Sequence, residues 1–283
     1  MKVKDPHFIL EKIRKYLDED IRPSRYRRVV ELESWKYLET SMDDRIDTAY
    51  APDYDDSSWA DFRLWDTWGG YDKVAWFRAA VRIPDAFRTL QTKACQIALR
   101  FLVGPRDGGG STAETLLYID GNPVQGIDIW HEEALLDKSV TEKGVIRIAL
   151  KAWSGVLEAP RYRTFQLAQL IALDSRVERF YHTADTLLRC CLLLDENDLR
   201  RIRLTRLLND TFRRVNFLNF REEEYYESVY GALSYIEDAL GELAKTKEIK
   251  PVVYGVGHSH IDMAWLWRLC ATREKASRTF STV

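Results

Sequence analysis

The sequence predicts a multidomain α+β protein: an antiparallel β-sandwich over residues 31–175, a helical connector over 176–247 and the first strand-helix unit of a β/α fold from residue 248. Three observations predict it. Short segments rich in β-branched and aromatic residues follow one another to about Asp174, with no helix-length pattern between them. From Arg176 the apolar period becomes helical. From residue 250 a nearly continuous apolar run leads into a polar cluster and then a stretch of helical composition, the order expected of strand, turn and helix. The 283 residues suffice for two domains and part of a third.

Residues 1–30 form an N-terminal helical segment. In "MKVKDPHFILEKIRKYL" the residues Ile9, Ile13, Tyr16 and Leu17 share one helix face. The stretch has no uninterrupted apolar core, so it is not read as a signal peptide. Strands are expected at "AWFRAAVRIP", "CQIALRFLV", "TLLYIDG", "VIRIALKAW" and "FQLAQLIAL", separated by the turn-forming "GPRDGGGST", "DGNP" and "TEKG". The Gly-rich loop 104–112 lacks the Gly-Lys-Ser/Thr ending that places a lysine on a phosphate, so it reads as a hairpin connection. In the connector, Val229, Leu233, Ile236, Leu240 and Leu243 recur at helical spacing and mark a buried stripe.

Composition narrows the partners. The 42 basic and 44 acidic residues are interspersed, giving a formal net charge of -2, so neither nucleic acid nor an anionic membrane is expected as partner. No window approaches the ~20 apolar residues that span a bilayer. Cys95, Cys190, Cys191 and Cys270 form neither a disulfide framework nor a C-x-x-C knuckle. A reducing, cytoplasmic location fits that usage.

Chemistry concentrates in "GHSHIDMAWLW", residues 257–267. In extended backbone His258, His260 and Asp262 point to one side. An imidazole and a carboxylate two residues apart can reach one cation, although Zn²⁺ ordinarily takes four ligands. Spacing alone leaves a second reading open, in which Asp262 caps the following helix and the histidines bond backbone. Trp265 lies near enough to border the same pocket. Its ring suits a sugar face, but a tryptophan early in a helix is more often core.

"GHSHIDMAWLW" followed by "TREKASRTFSTV" resembles the opening of the catalytic domain of glycoside hydrolase family 38, the α-mannosidases, and is most similar to the cytosolic and vacuolar type. Upstream, "DYDDSSWADFRLWDTWGGYDKVAWFRAAVRIPDAF" is similar to the sugar-binding-like sandwich that precedes many glycosidase catalytic domains. "YIDGNPVQGIDIWHEEALL" resembles a stretch of the N-terminal domain of these mannosidases. The resemblance implies that residues 248–283 open a barrel-type catalytic domain. It implies His260 and Asp262 as two ligands of one divalent cation, zinc or alternatively cobalt. His258 is not an expected ligand, and Trp265 lines the subsite of the reacting mannose. It further implies a retaining hydrolase acting on terminal α-mannose of oligosaccharides or glycans, assembled as a homo-oligomer. The nucleophile and acid/base are expected downstream of Val283, so no catalytic carboxylate is assigned here and the 283-residue chain is expected to be inactive alone. Two positions depart from the family pattern: Arg268 stands where a proline is usual and Ala271 where a glutamate is usual. The alternative reading is a non-catalytic carbohydrate-binding or assembly module, with the aromatics of "WGGYDKVAWF" either stacking on sugar or filling the sandwich core.

Overall fold

The computed structural model describes residues 6–44, 46, 48–104, 113–156, 162–245, 252–265 and 267–283. Most of the Gly-rich loop, residues 105–112, lies outside them. Helix α1 (Pro6–Tyr16) continues through a π-turn (Leu17–Ile21) and the short α2 (Arg22–Ser24) into β1 (Tyr26–Glu31). Strands β2 (Ser34–Ser41), β3 (Ala60–Arg63), β4 (Thr67–Gly69) and β5 (Lys73–Arg82) follow, then α3 (Asp85–Leu90) and β6 (Cys95–Leu102). Next come β7 (Glu114–Ile119), β8 (Asn122–Ile127), β9 (Glu133–Leu136), α4 (Lys138–Thr141), β10 (Val145–Trp153), β11 (Tyr162–Thr164) and β12 (Leu167–Asp174). Three long helices, α5 (Ser175–Leu193), α6 (Leu199–Phe212) and α7 (Glu223–Lys245), precede the last, α8 (Leu269–Thr282).

The chain divides into two compact units. The first gathers residues up to Arg27, Thr92–Gln96 and Leu173–Gly255. Its core joins Leu10, Ile13, Leu17 and Ile21 to Phe180, Leu187 and Leu188 of α5, Leu208 and Phe212 of α6, and Val229, Leu233 and Ile236 of α7. The N-terminal helix thus shares one hydrophobic core with the connector helices. The α7 stripe is buried through Ile236, only partly at Leu240, and exposed by Leu243. Asp174 fixes the start of α5. Its Oδ1 accepts from the N–H groups of Arg176 and Val177 at 3.0 and 3.1 Å, satisfying two donors of the first turn. Its Oδ2 accepts from Arg27 Nε at 2.9 Å and from the Tyr230 hydroxyl at 2.5 Å. Burial, reinforced by the bond to Asp174, pushes the Tyr230 phenol up to about 12.

The second unit gathers Arg28–Gln91, Ile97–Ala172 and Val256–Val283. It is built on a six-stranded sheet of order β3-β2-β5-β10-β7-β8, antiparallel at every pairing. Its longest ladder runs from Val145 opposite Arg82 to Trp153 opposite Val74. A four-stranded sheet has the order β1-β12-β6-β9, and β11 pairs with β4. Aromatic rings fill the core. Trp35 and Phe77 of the larger sheet lie 5.2 and 5.1 Å from Phe165, and Trp35 lies 6.1 Å from Phe101 of the smaller one. Trp68, Trp76 and Phe77 are buried. Three aromatics of "WGGYDKVAWF" are therefore core residues without a face free for sugar, and only Tyr71 among them is exposed.

Strand β8 ends the larger sheet and carries Pro123, a residue tolerated at an edge because it has no N–H to give the ladder. Helix α8 packs on this strand. Gly126 makes the close approach feasible, because a Cβ there would meet Thr282 Oγ1 at 3.0 Å and Arg278 Cβ at 3.2 Å. Covering an edge strand in this way blocks further strand pairing.

Candidate metal and sugar site

The run expected to form a buried parallel strand adopts no regular structure from residue 252 to 262. Val252, Val253, Tyr254 and Val256 are 72, 88, 88 and 86% exposed. An isolated strand leaves its N–H and C=O groups without ladder partners, and among the described residues no strand pairs with this segment. The expected strand-helix unit is therefore represented here by its helix alone.

That helix also starts later than its composition suggests. The carbonyls of Asp262 and Met263 accept from the Thr272 hydroxyl, at 3.3 and 2.5 Å. Trp267 Nε1 donates to the same hydroxyl oxygen at 3.0 Å. These bonds hold Asp262, Met263 and Trp267 against the first turn of α8, which begins at Leu269 with Arg268 as an extended N-cap (φ −78°, ψ 161°). Asp262 therefore does not cap the helix.

The polar cluster has the sidedness that alternation predicts. The rings of His258 and His260 are stacked, 6.1 Å between centroids at 14°. His260 Nε2 lies 2.8 Å from Asp262 Oδ1, with side chains 72 and 44% exposed. Trp265 is exposed rather than core, and it meets Trp267 edge-to-face at 5.7 Å. Lys275 Nζ lies 4.7 Å from the Trp267 ring centroid, within cation–π range.

The two departures from the family pattern are built into this support. Arg268 donates to Asp43 Oδ2 at 2.8 Å and also to Asp72. The bond to Asp43 and the charge of Asp72 raise its pKa further above the ordinary arginine value. Asp72 in turn accepts from Trp153 Nε1 at 3.0 Å. Ala271 is the one buried residue of α8, a position where an unpaired longer acid would carry a desolvation cost.

The 2.8 Å contact is a hydrogen bond between the two side chains, whose donor types, an imidazole nitrogen and a carboxylate oxygen, are those a borderline divalent cation such as zinc or cobalt takes. Among the described residues, however, no group of three or more His, Cys, Asp or Glu side chains converges. The pair fits part of a ligand set, and the chemistry it permits alone is weak cation capture.

Beside the pair, a cavity of about 500 Å³ is bordered by Ser259 together with Trp130, His131, Lys275 and Arg278. Arg278, its side chain largely covered, bonds Glu114, and desolvation pulls its guanidinium down to about 10, so it remains charged at neutral pH. His131 Nδ1 sits 3.0 Å from Asp128 Oδ1. None of these was identified from the sequence, because their partners lie on β7 and on the loop after β8, far from α8 along the chain.

Residues 250–283 match the family model described as the glycosyl hydrolases family 38 N-terminal domain. Alpha-mannosidase G of Dictyostelium discoideum is 22% identical over 297 residues, covering 96% of this chain and 25% of that protein. Alpha-mannosidase 2C1 of Mus musculus is 24% identical over 233 residues, covering 77% of this chain and 20% of that protein. This chain therefore spans a quarter or less of the length of these curated relatives. Among solved structures, a Bacteroides uniformis beta-glucuronidase 2 aligns at TM-score 0.37 and 17% identity, covering 51% of this chain and 18% of that one. A likeness at that level carries no argument about function. The resemblance to the N-terminal portion of family 38 α-mannosidases is thus shared by motif, family model and curated relatives.

Proposed function

We propose that this chain is the N-terminal portion of a retaining, divalent-metal-dependent α-mannosidase of glycoside hydrolase family 38. In this reading His260 and Asp262 hold two positions on one cation, zinc or cobalt, and Trp265 offers its face to the reacting mannose. One observation carries the reading. Within the segment that matches the family model, an imidazole nitrogen and a carboxylate oxygen stand 2.8 Å apart and open to solvent, with an exposed tryptophan three residues on.

When bound, the cation supplies a template and electrostatic clamp for sugar hydroxyls. The chain's own residues orient and support it. Thr272 ties the backbone of Asp262 to α8, and Trp267 packs Trp265 in place. A retaining mechanism needs two carboxyl groups roughly 5–5.5 Å apart, one nucleophile and one acid/base. In this reading neither is a residue of this chain, and both, with the remaining ligands, correspond to parts of the curated relatives that this chain does not span. The exposed apolar run 252–256 is then the surface that neighbouring strands of those parts cover. The substrate is terminal α-mannose of oligosaccharides or glycans, and the assembly is a homo-oligomer in the cytoplasm. Among the described residues no helix is long and apolar enough to cross a membrane.

The test is hydrolysis of an aryl α-mannoside by the full-length protein encoded by the gene. The expected result is turnover with retained anomeric configuration, lost by at least about 100-fold in Asp262→Asn, since even outer-shell changes at metal sites cost 10–100-fold. The 283-residue chain with added Zn²⁺ or Co²⁺ is expected to show none. Absence of α-mannoside hydrolysis by the full-length protein refutes the reading. Of the aromatic run offered for stacking in the alternative carbohydrate-binding module, Trp68, Trp76 and Phe77 are buried and Tyr71 is exposed.

A further inference from the structure

Trp65 stands at a position where its backbone conformation is unfavourable and its side chain is of little use to the core. It occupies the third residue of a four-residue turn, closed by the Asp66 N–H to the Arg63 carbonyl at 3.1 Å. Its φ is +74°, a value that turns of this kind reserve for glycine or asparagine. The conformation is held from several sides. Asp66 Oδ2 accepts from the Arg63 N–H at 2.9 Å, Trp65 N–H donates to Phe165 O at 2.8 Å, and Phe165 N–H donates to Asp66 O at 3.3 Å. The ring thus locked is 68% exposed. A bulky residue kept in a strained turn, with its ring in solvent, points to function rather than packing.

The ring borders a groove of about 650 Å³ within the second unit, lined also by Arg63, Glu31, Glu33, Gln166 and Gln169. This volume is in the usual range for small-molecule sites, roughly 300–1,000 Å³. Gln169 Nε2 is oriented by Glu31 Oε1 at 2.6 Å and its carbonyl oxygen by Arg100 Nη1 at 3.4 Å. Among the described residues the side chains of Arg63, Glu33 and Gln166 make no hydrogen bond, so their donors and acceptors remain available to a ligand. A cation, carboxylates and amides around one flat amphipathic ring offer both donors and acceptors without a dominant charge. That set suits a neutral polyol with one apolar face.

We propose that this groove binds a neutral hexopyranose unit, with the ring stacked on Trp65 and its hydroxyls bonded by Arg63, Glu33 and Gln166. The choice of mannose as the unit rests on the mannosidase reading, whereas the binding of a neutral pyranose does not. The site uses none of His260, Asp262 or a cation.

The test titrates the 283-residue chain with methyl α-D-mannopyranoside and a linear mannotriose, read by calorimetry and saturation-transfer NMR. Methyl β-D-glucuronide serves as the charged probe. Millimolar or tighter binding of the neutral sugars is expected, unchanged by 0.5 M salt and by His260→Ala. Trp65→Gly is the informative variant, because glycine suits the positive φ while removing the ring. It should weaken binding more than tenfold and leave the melting temperature unchanged or higher, and Arg63→Gln should weaken binding several-fold. Absence of neutral-sugar binding, binding that survives Trp65→Gly, or preference for the glucuronide overturns the proposal. Binding lost in His260→Ala but kept in Trp65→Gly also overturns it and leaves the mannosidase reading standing.

Discussion

Arg268 shows how a single departure from a family pattern is absorbed. Its backbone, at φ −78° and ψ 161°, already has the conformation that a proline would impose. What the arginine adds is a pair of bonds to Asp43 and Asp72 from a half-exposed side chain. Such surface pairs contribute about 0–1 kcal/mol each. Proline would recover some stability through the reduced freedom of the unfolded chain, about 0.4–1 kcal/mol. Arg268→Pro is therefore predicted to change unfolding stability by less than about 1 kcal/mol in denaturant titration. A loss of several kcal/mol would mean that the two aspartates anchor α8 far more strongly. The sequence marked Arg268 as exceptional but gave no indication of its partners, which lie about two hundred residues away. For Trp265 the alternatives of core and exposed ring could not be separated by spacing, and its 69% exposure separates them.

Among elements, the hairpin of β7 and β8 carries its own pH dependence. Its turn is Asp120-Gly121, with φ of +49° and +84°, the two-residue loop that Asp-Gly favours. Burial alone would raise the Asp120 pKa, but the Arg147 N–H and Lys143 ammonium outweigh it and hold the carboxyl below the usual aspartate range. A depressed pKa in the folded state adds stability that is present above the unfolded pKa of ~3.9 and is lost as pH falls through the folded value. Asp120→Asn keeps a residue suited to positive φ and removes only the charge. It is predicted to destabilise the protein near pH 7, with the difference from wild type shrinking as pH falls below the unfolded pKa of ~3.9 and through the lower folded value. A pH-independent difference would show that the charge is not what the turn uses.

Elements also show where sequence patterning sufficed. The long strands β5, β6, β7, β10 and β12 were legible because each runs six to ten residues, is rich in aliphatic and aromatic side chains, and has turn-forming stretches nearby. Strands β3, β4 and β11, of three or four residues, fall below any periodic signal. The run 252–257 had the composition of a buried strand, yet pairing depends on neighbours that composition does not specify.

At the scale of the whole molecule, one hydrophobic core joins Leu10, Ile13, Leu17 and Ile21 to helices more than 150 positions later. The N-terminal amphipathic face was legible, but not its partner, because a helix pattern gives the face to be buried and never the surface that covers it. The candidate site was legible as a motif. His260 and Asp262 do stand side by side, whereas the cavity around Arg278 arises only when α8 is laid on β8. The most direct test of their assignment is the metal content of the purified full-length protein, measured by mass spectrometry after dialysis against a weak chelator. The account predicts one divalent cation per chain, lost in both His260→Ala and Asp262→Asn. A full complement of metal retained in both variants, or α-mannoside hydrolysis undiminished in metal-free protein, would contradict it.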